Sequence, residues 1–299
     1  MMRIMRRAAP LAQNHIVGTS AATSATGERL APRTAWRSVA LPIEHGGWSF
    51  LIEPLILGLA VAPSAAGFGL AVSATAVFLA RHPMKLIALD RRKGIRYPRT
   101  GLAERFLAIY LAVAALAFAA ALARSGASIL PPLAVAAPFA LCALGLDLQG
   151  RGREAWPEIA GAVGLGSSAA AIILAGGGSA ATAWAAWTLG AGRALTAILY
   201  VRARVRVDRD PTQANRPILA RPVLAIHALV LILALGAQAK GLISPIAASA
   251  FILLLLRAAF GLAPGRPPIR PRTLGIQEVL IGLTCLALFT LGLASAHRP

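Results

Sequence analysis

From Gly46 onward the chain repeats one pattern: an apolar run of about twenty residues, a short break of Pro, Gly or charge, then another apolar run. Nine such runs cover approximately 46–62, 65–83, 103–123, 128–146, 156–175, 179–200, 218–238, 242–262 and 275–296. Each is near the roughly 20 residues a helix needs to cross a hydrocarbon layer of about 30 Å. The pattern therefore predicts an all-α polytopic membrane protein, with about nine transmembrane helices in one bundle. Between the first two runs Ala62-Pro63-Ser64 leaves room only for a tight turn. Residues 1–42 are different in kind. Arg3, Arg6, Arg7, Arg29, Arg33 and Arg37 stand among Ala, Ser and Thr, with no apolar run of signal-peptide length. This stretch reads as a disordered basic cytoplasmic tail held at the anionic inner leaflet, and residues 43–299 as a single transmembrane domain.

Charge adds an orientation. Of 30 Lys and Arg residues, only Arg124, Lys240 and Arg298 fall on one set of connections and ends. Most of the others crowd the connections after the second, fourth, sixth and eighth runs. Cationic loops stay on the cytoplasmic side, so this asymmetry predicts an inner-membrane protein with its amino end cytoplasmic and its carboxyl end outside. A composition of 57% hydrophobic and 14% charged residues excludes an ordinary soluble domain. The net charge of +19 does not imply nucleic acid, because the aromatic content is 6% and the arginines are spread over short loops. Cys142 and Cys285 lie far apart inside apolar runs, with no metal-ligand spacing, and read as small hydrophobes buried in lipid or in the bundle. Small residues such as Gly161, Gly164, Gly166, Ser167 and Ser168 predict close backbone approach between helices.

The chemically loaded positions are ionisable groups at membrane depth, where an unpaired charge costs at least about 2.5–3.5 kcal/mol. Glu44 and His45 stand at the start of the first run, read either as helix capping or as site residues. Glu53 lies deeper, directly before Pro54, which removes a backbone donor and loosens the local helix. It is read either as one wall of a polar pocket or as the partner of an intramembrane arginine. In the sixth run Arg193, Tyr200 and Arg204 follow at intervals of seven and four and share one helical face. Arg193 could clamp an anion or neutralise Glu53 or Glu158. His227 reads as a hydrogen-bonded core histidine, Arg257 as snorkelling to the cytoplasmic interface, and Gln277 and Glu278 as first-turn residues facing a helix dipole. Two basic connections, His82 to Thr100 and Val201 to Pro211, would present a converging positive field to a cytoplasmic anion, with His82 and Lys85 one turn apart in the first and Arg202 and Arg206 in the second.

The stretch Glu44-His45-Gly46-Gly47-Trp48 with Pro54 and Gly58, then Arg81-His82-Pro83 and the basic run to Arg99, and later Tyr200-Val201-Arg202, resembles the YwiC-like family of bacterial integral membrane proteins over about residues 40–296. That resemblance implies location and architecture more than chemistry. A looser likeness is to the UbiA superfamily of intramembrane prenyltransferases, which also have nine helices and extended cytoplasmic connections after helices two and six. The likeness implies magnesium and a polyprenyl diphosphate held by paired Asp-rich motifs. Here the sequence departs, with only Asp90 after the second run and Asp208 and Asp210 after the sixth. Hard divalent cations take several oxygen ligands, so a full pair of metal sites is not supported and Asp208 and Asp210 are weak metal candidates.

Two classes of function follow. One is an enzyme acting on a polyprenyl or other anionic lipid, in which His82, Lys85, Arg193, Arg202 and Arg206 bind diphosphate and Glu53 orients the acceptor. The other is a carrier or assembly factor without catalysis, using the same basic face to hold a lipid-borne or small anion.

Overall fold

A computed structural model describes residues 36–42, 47–210 and 216–295, and all of them lie in one compact unit, Thr34–Pro299. Glu44 and His45 lie outside the described residues, as does most of the stretch read as a tail. The elements are α1 (Trp36–Ala40), α2 (Gly47–Val61), α3 (Ala65–Arg92), α4 (Pro98–Ser125), α5 (Leu130–Leu148), α6 (Ala155–Ala175), α7 (Ala180–Arg209), α8 (Arg216–Ala239), α9 (Pro245–Gly261) and α10 (Pro271–Ser295). No strand occurs among the described residues.

Among the described residues each of the nine longer helices overlaps one apolar run, and the ends differ for local reasons. α3 continues to Arg92 and α7 to Arg209, well past the apolar residues, because Lys and Arg are good helix formers and their charge alone does not stop a helix. Pro83 lies inside α3 and does not end it. Trp36–Ala40, within the stretch read as a tail, forms α1. Its Val39 packs with Ile87 and Ala103, and Tyr110 donates to the Ala40 carbonyl at 3.1 Å. At the end of the bundle poor in cations the connections are short and capped. The hydroxyls of Ser64, Ser179 and Ser244 accept from backbone N–H groups in the first turns of α3, α7 and α9. Each bond satisfies a donor that has no intrahelical partner. Between α4 and α5, Gly126 takes a φ of 69°, a left-handed conformation that suits glycine, and a 3-10 turn over Gly126–Ile129 follows.

α6 is the central post. Ala169 to Ile173 are buried, and α6 packs against α2, α3, α5 and α7. Gly58 lets α2 approach so closely that an added Cβ would come within 2.8 Å of the Ile172 Cβ. Gly164 brings α5 near as well, though less tightly, with an added Cβ 3.3 Å from the Ala140 nitrogen. The outward faces are apolar instead of polar: Phe68, Leu116, Leu141, Ile218, Ile232 and Phe260 are each exposed. An apolar exterior around a packed helical bundle is what lipid contact requires. By length and composition five segments are able to cross a membrane: Ala65–Arg92, Pro98–Leu148, Ala155–Ala175, Arg216–Ala239 and Pro271–Ala294. α2 and α9, of 15 and 17 residues, are apolar but shorter.

Candidate functional site

Four helices place four charges together inside the bundle. Arg193 of α7 donates through Nη2 to Glu53 Oε1 of α2 at 2.8 Å, and the same nitrogen approaches the Glu278 carbonyl of α10 at 3.5 Å. Glu278 in turn receives Arg257 of α9. Arg257 lies over the Tyr200 ring of α7, 3.9 Å from its centroid. Two acids and two guanidinium groups thus form a net-neutral quartet. Glycine makes room for it. A Cβ at Gly282 of α10 would collide with both Arg193 Nη2 and Glu53 Oε1, and one at Gly261 would collide with the Tyr200 hydroxyl.

The quartet is incompletely satisfied. Arg193 is 4% exposed, yet its Nε has no hydrogen-bond partner in the protein; the same holds for Nε and Nη2 of Arg257 and for Oε2 of Glu278. Buried polar atoms are normally paired, since leaving one unpaired costs about 1–3 kcal/mol. Beside Glu53, Pro54 and Arg193 lies a cavity of about 30 Å³, lined also by Phe50, Leu57 and Phe289. A cavity of about 10–15 Å³ or more holds one water, so this one admits a water or two and no prenyl chain.

The basic end is organised otherwise. Asp147, at the last turn of α5, accepts from Arg81 Nε and Lys85 Nζ of α3, each at 2.7 Å. Asp90 closes the α3–α4 hairpin, accepting from Arg99 Nη2 and the Thr100 hydroxyl, both at 2.7 Å. Arg202 binds Glu158 at 2.8 Å and the Arg153 carbonyl at 3.1 Å. Arg204 and Arg216 reach over to the α9–α10 connection, donating to carbonyls of Gly261 and Pro267 and of Ala263 and Arg266. In the exposed α5–α6 connection Arg151 donates to both oxygens of Glu154 and holds that carboxyl below its usual range.

The residues singled out by sequence therefore divide. Glu53, Arg193 and Tyr200 meet in the quartet. His82 and Lys85 diverge, His82 Nε2 lying 3.0 Å from the Ser38 carbonyl while Lys85 serves Asp147. Arg202 is engaged at α6, Arg206 is exposed, and Arg204, on the same face as Arg193 and Tyr200, is bound to Asp208 at 2.9 Å. Arg257 and Glu278 do not take the interfacial places expected of them. α10 begins at Pro271, which carries Glu278 two turns inward, where it meets Arg257 across the bundle. His227 is buried, with Nδ1 2.8 Å from the Val223 carbonyl. Cys285 is buried and Cys142 exposed.

A magnesium site does not suit these residues. Both oxygens of Asp90 are taken by Arg99 and Thr100, and Asp208 Oδ2 is taken by Arg204 and the Ile269 N–H, leaving only Oδ1 unpartnered. Asp210 caps the end of α7. Among the described residues no group of three or more His, Cys, Asp or Glu is close enough together to hold a metal ion.

Apolar helices, an apolar exterior and buried ion pairs define a helical membrane protein. Residues 41–173 match the family model described as YwiC-like protein. The match takes in α2 to α5, nearly all of α6, and Glu53; it ends before α7. No curated protein and no solved structure matches the chain.

Proposed function

We propose that this YwiC-like protein is a non-catalytic inner-membrane carrier for a small anion, with the Glu53–Arg193–Glu278–Arg257 quartet as its binding site. The reading includes nine crossings, α2 to α10, with the amino end cytoplasmic and the carboxyl end outside. All the strongly basic helix ends then share the cytoplasmic face, where the exposed Trp36 and Trp156 suit an interface.

One observation carries the proposal: the quartet has buried guanidinium donors to spare, and its Arg193 and Glu53 line a cavity. A purely structural ion pair in a bundle is poor value for stability, because desolvation offsets most of its attraction and apolar residues of equal volume often do as well. Ionisable groups retained at membrane depth accordingly point to a pathway for ions or substrate. The two shortest of the nine helices, α2 and α9, each contribute one member. An entering anion would take up the spare N–H groups of Arg193 and Arg257 and weaken their hold on Glu53 and Glu278. This loosens α2 and α9 from α7 and α10.

The test is uptake of labelled chloride, acetate and inorganic phosphate, each separately, into liposomes containing the purified protein. The expected result is saturable uptake of at least one anion, lowered about tenfold or more in Arg193→Gln, as loss of a charge-assisted bond implies. Uptake equal to that of empty liposomes for all three would overturn it.

The prenyltransferase alternative draws on the nine long helices and the arginine-rich ends of α3 and α7. It requires free cations, whereas Lys85 and Arg202 are already paired with carboxylates. Release of diphosphate from a labelled polyprenyl diphosphate would replace the carrier reading with this one.

A further inference from the structure

A second site, remote from the quartet, lies on the outer surface where α3, α4 and α5 meet. A groove of about 490 Å³ is walled by Met84 and Ile87 of α3, Leu107 and Leu111 of α4 and Leu148 of α5, and Arg91 stands at its rim. That volume is in the range of sites that hold small organic ligands, about 300–1,000 Å³.

Depth identifies the occupant. Measured from the cation-poor ends of α3 and α4 at a rise of 1.5 Å per residue, Leu111 lies about 21 Å in, Leu107 and Met84 about 27–28 Å, and Arg91 about 39 Å. With a hydrocarbon layer about 30 Å thick, the apolar walls fall within its inner half and Arg91 falls in the head-group layer. The groove is thus apolar where acyl chains are and cationic where phosphates are. Glu104 also lines it, but Arg96 Nη2 binds that carboxylate at 2.8 Å. Arg91 is exposed, and Arg92, Lys93, Arg96 and Arg105, close to the lining residues Arg91 and Glu104 along the chain, are exposed as well. Basic pockets between helices on the cytoplasmic side are suited to anionic lipid head groups.

We infer that this groove binds one anionic phospholipid of the inner leaflet, with an acyl chain along Leu111, Leu107 and Met84 and its phosphate at Arg91. The inference rests on the crossing scheme proposed above and not on the anion site, so a failure of anion uptake leaves it standing.

Native mass spectrometry of the detergent-purified full chain tests it, with phosphatidylglycerol and phosphatidylcholine of identical chains as probes. One phosphatidylglycerol per chain is expected to be retained about tenfold more strongly than phosphatidylcholine. Arg91→Gln should remove that preference, and Leu107→Trp, which fills the groove, should lower retention of both lipids. Should Leu107→Trp fail to purify, Ala108→Leu serves for the same arm. Arg272→Gln, an exposed cation elsewhere at the basic end, should change nothing. Equal retention of the two lipids, or an equal loss in Arg272→Gln and Arg91→Gln, would overturn the assignment.

Discussion

The quartet within the bundle and the Asp147 clasp at its basic end use the same kinds of groups to opposite effect. At Asp147 one buried carboxylate offers two oxygens, and Arg81 and Lys85 take one each at 2.7 Å. Nothing on Asp147 is left over, and the two cations keep side-chain exposures of 37% and 25%, so their remaining donors can reach water. In the quartet the cations are more deeply buried, guanidinium nitrogens and a carboxylate oxygen stay unpartnered, and Arg193 lines a cavity. The first arrangement staples α3 to α5. The second leaves binding capacity unused, which is what a site needs and a staple does not.

The comparison breaks most visibly at Arg193. Arg193→Ala strands Glu53 without its counter-charge, and removing one partner of a buried pair costs about 3–5 kcal/mol. A large fall in unfolding free energy, measured by denaturant titration in mixed micelles, is expected. Asp147→Ala should cost less, about 2 kcal/mol, because the partly exposed Arg81 and Lys85 can be rehydrated once the carboxylate is gone. The same titration checks it, and an effect equal to that of Arg193→Ala would erase the contrast. At the far end of the scale, Arg96→Gln removes a pair whose side chains are 75% and 37% exposed, and stability should move by less than about 0.5 kcal/mol.

Much of this was legible in the chain. Among the described residues each apolar run falls on a helix, since helix-length apolar segments bounded by Pro, Gly and charge have few other fates. The spacing of Arg193, Tyr200 and Arg204 puts them on one face, and all three are buried. Pairing of Glu53 with Arg193 stood among the readings of both residues, and it is the arrangement found. Asp147 carried no signal, because it lies 62 and 66 residues from its partners and the contact depends on α3 meeting the end of α5. Arg257 and Glu278 were misplaced for a related reason. Extending α10 back to Pro271 shifts Glu278 from the first turn into the bundle, and only the packing of α9 on α10 brings Arg257 to it. Gly282 looks like any other small helical residue until the pair it accommodates is known.

The double variant Glu53→Leu, Arg193→Met tests the central claim most directly. It replaces the pair by apolar groups of similar volume, an exchange that is often neutral or stabilising by about 1–4 kcal/mol. If the quartet is a site, the variant should insert and unfold at or above the denaturant concentration of the parent protein while anion uptake into liposomes falls to the level of empty vesicles. Uptake undiminished in a stably folded double variant would contradict the account.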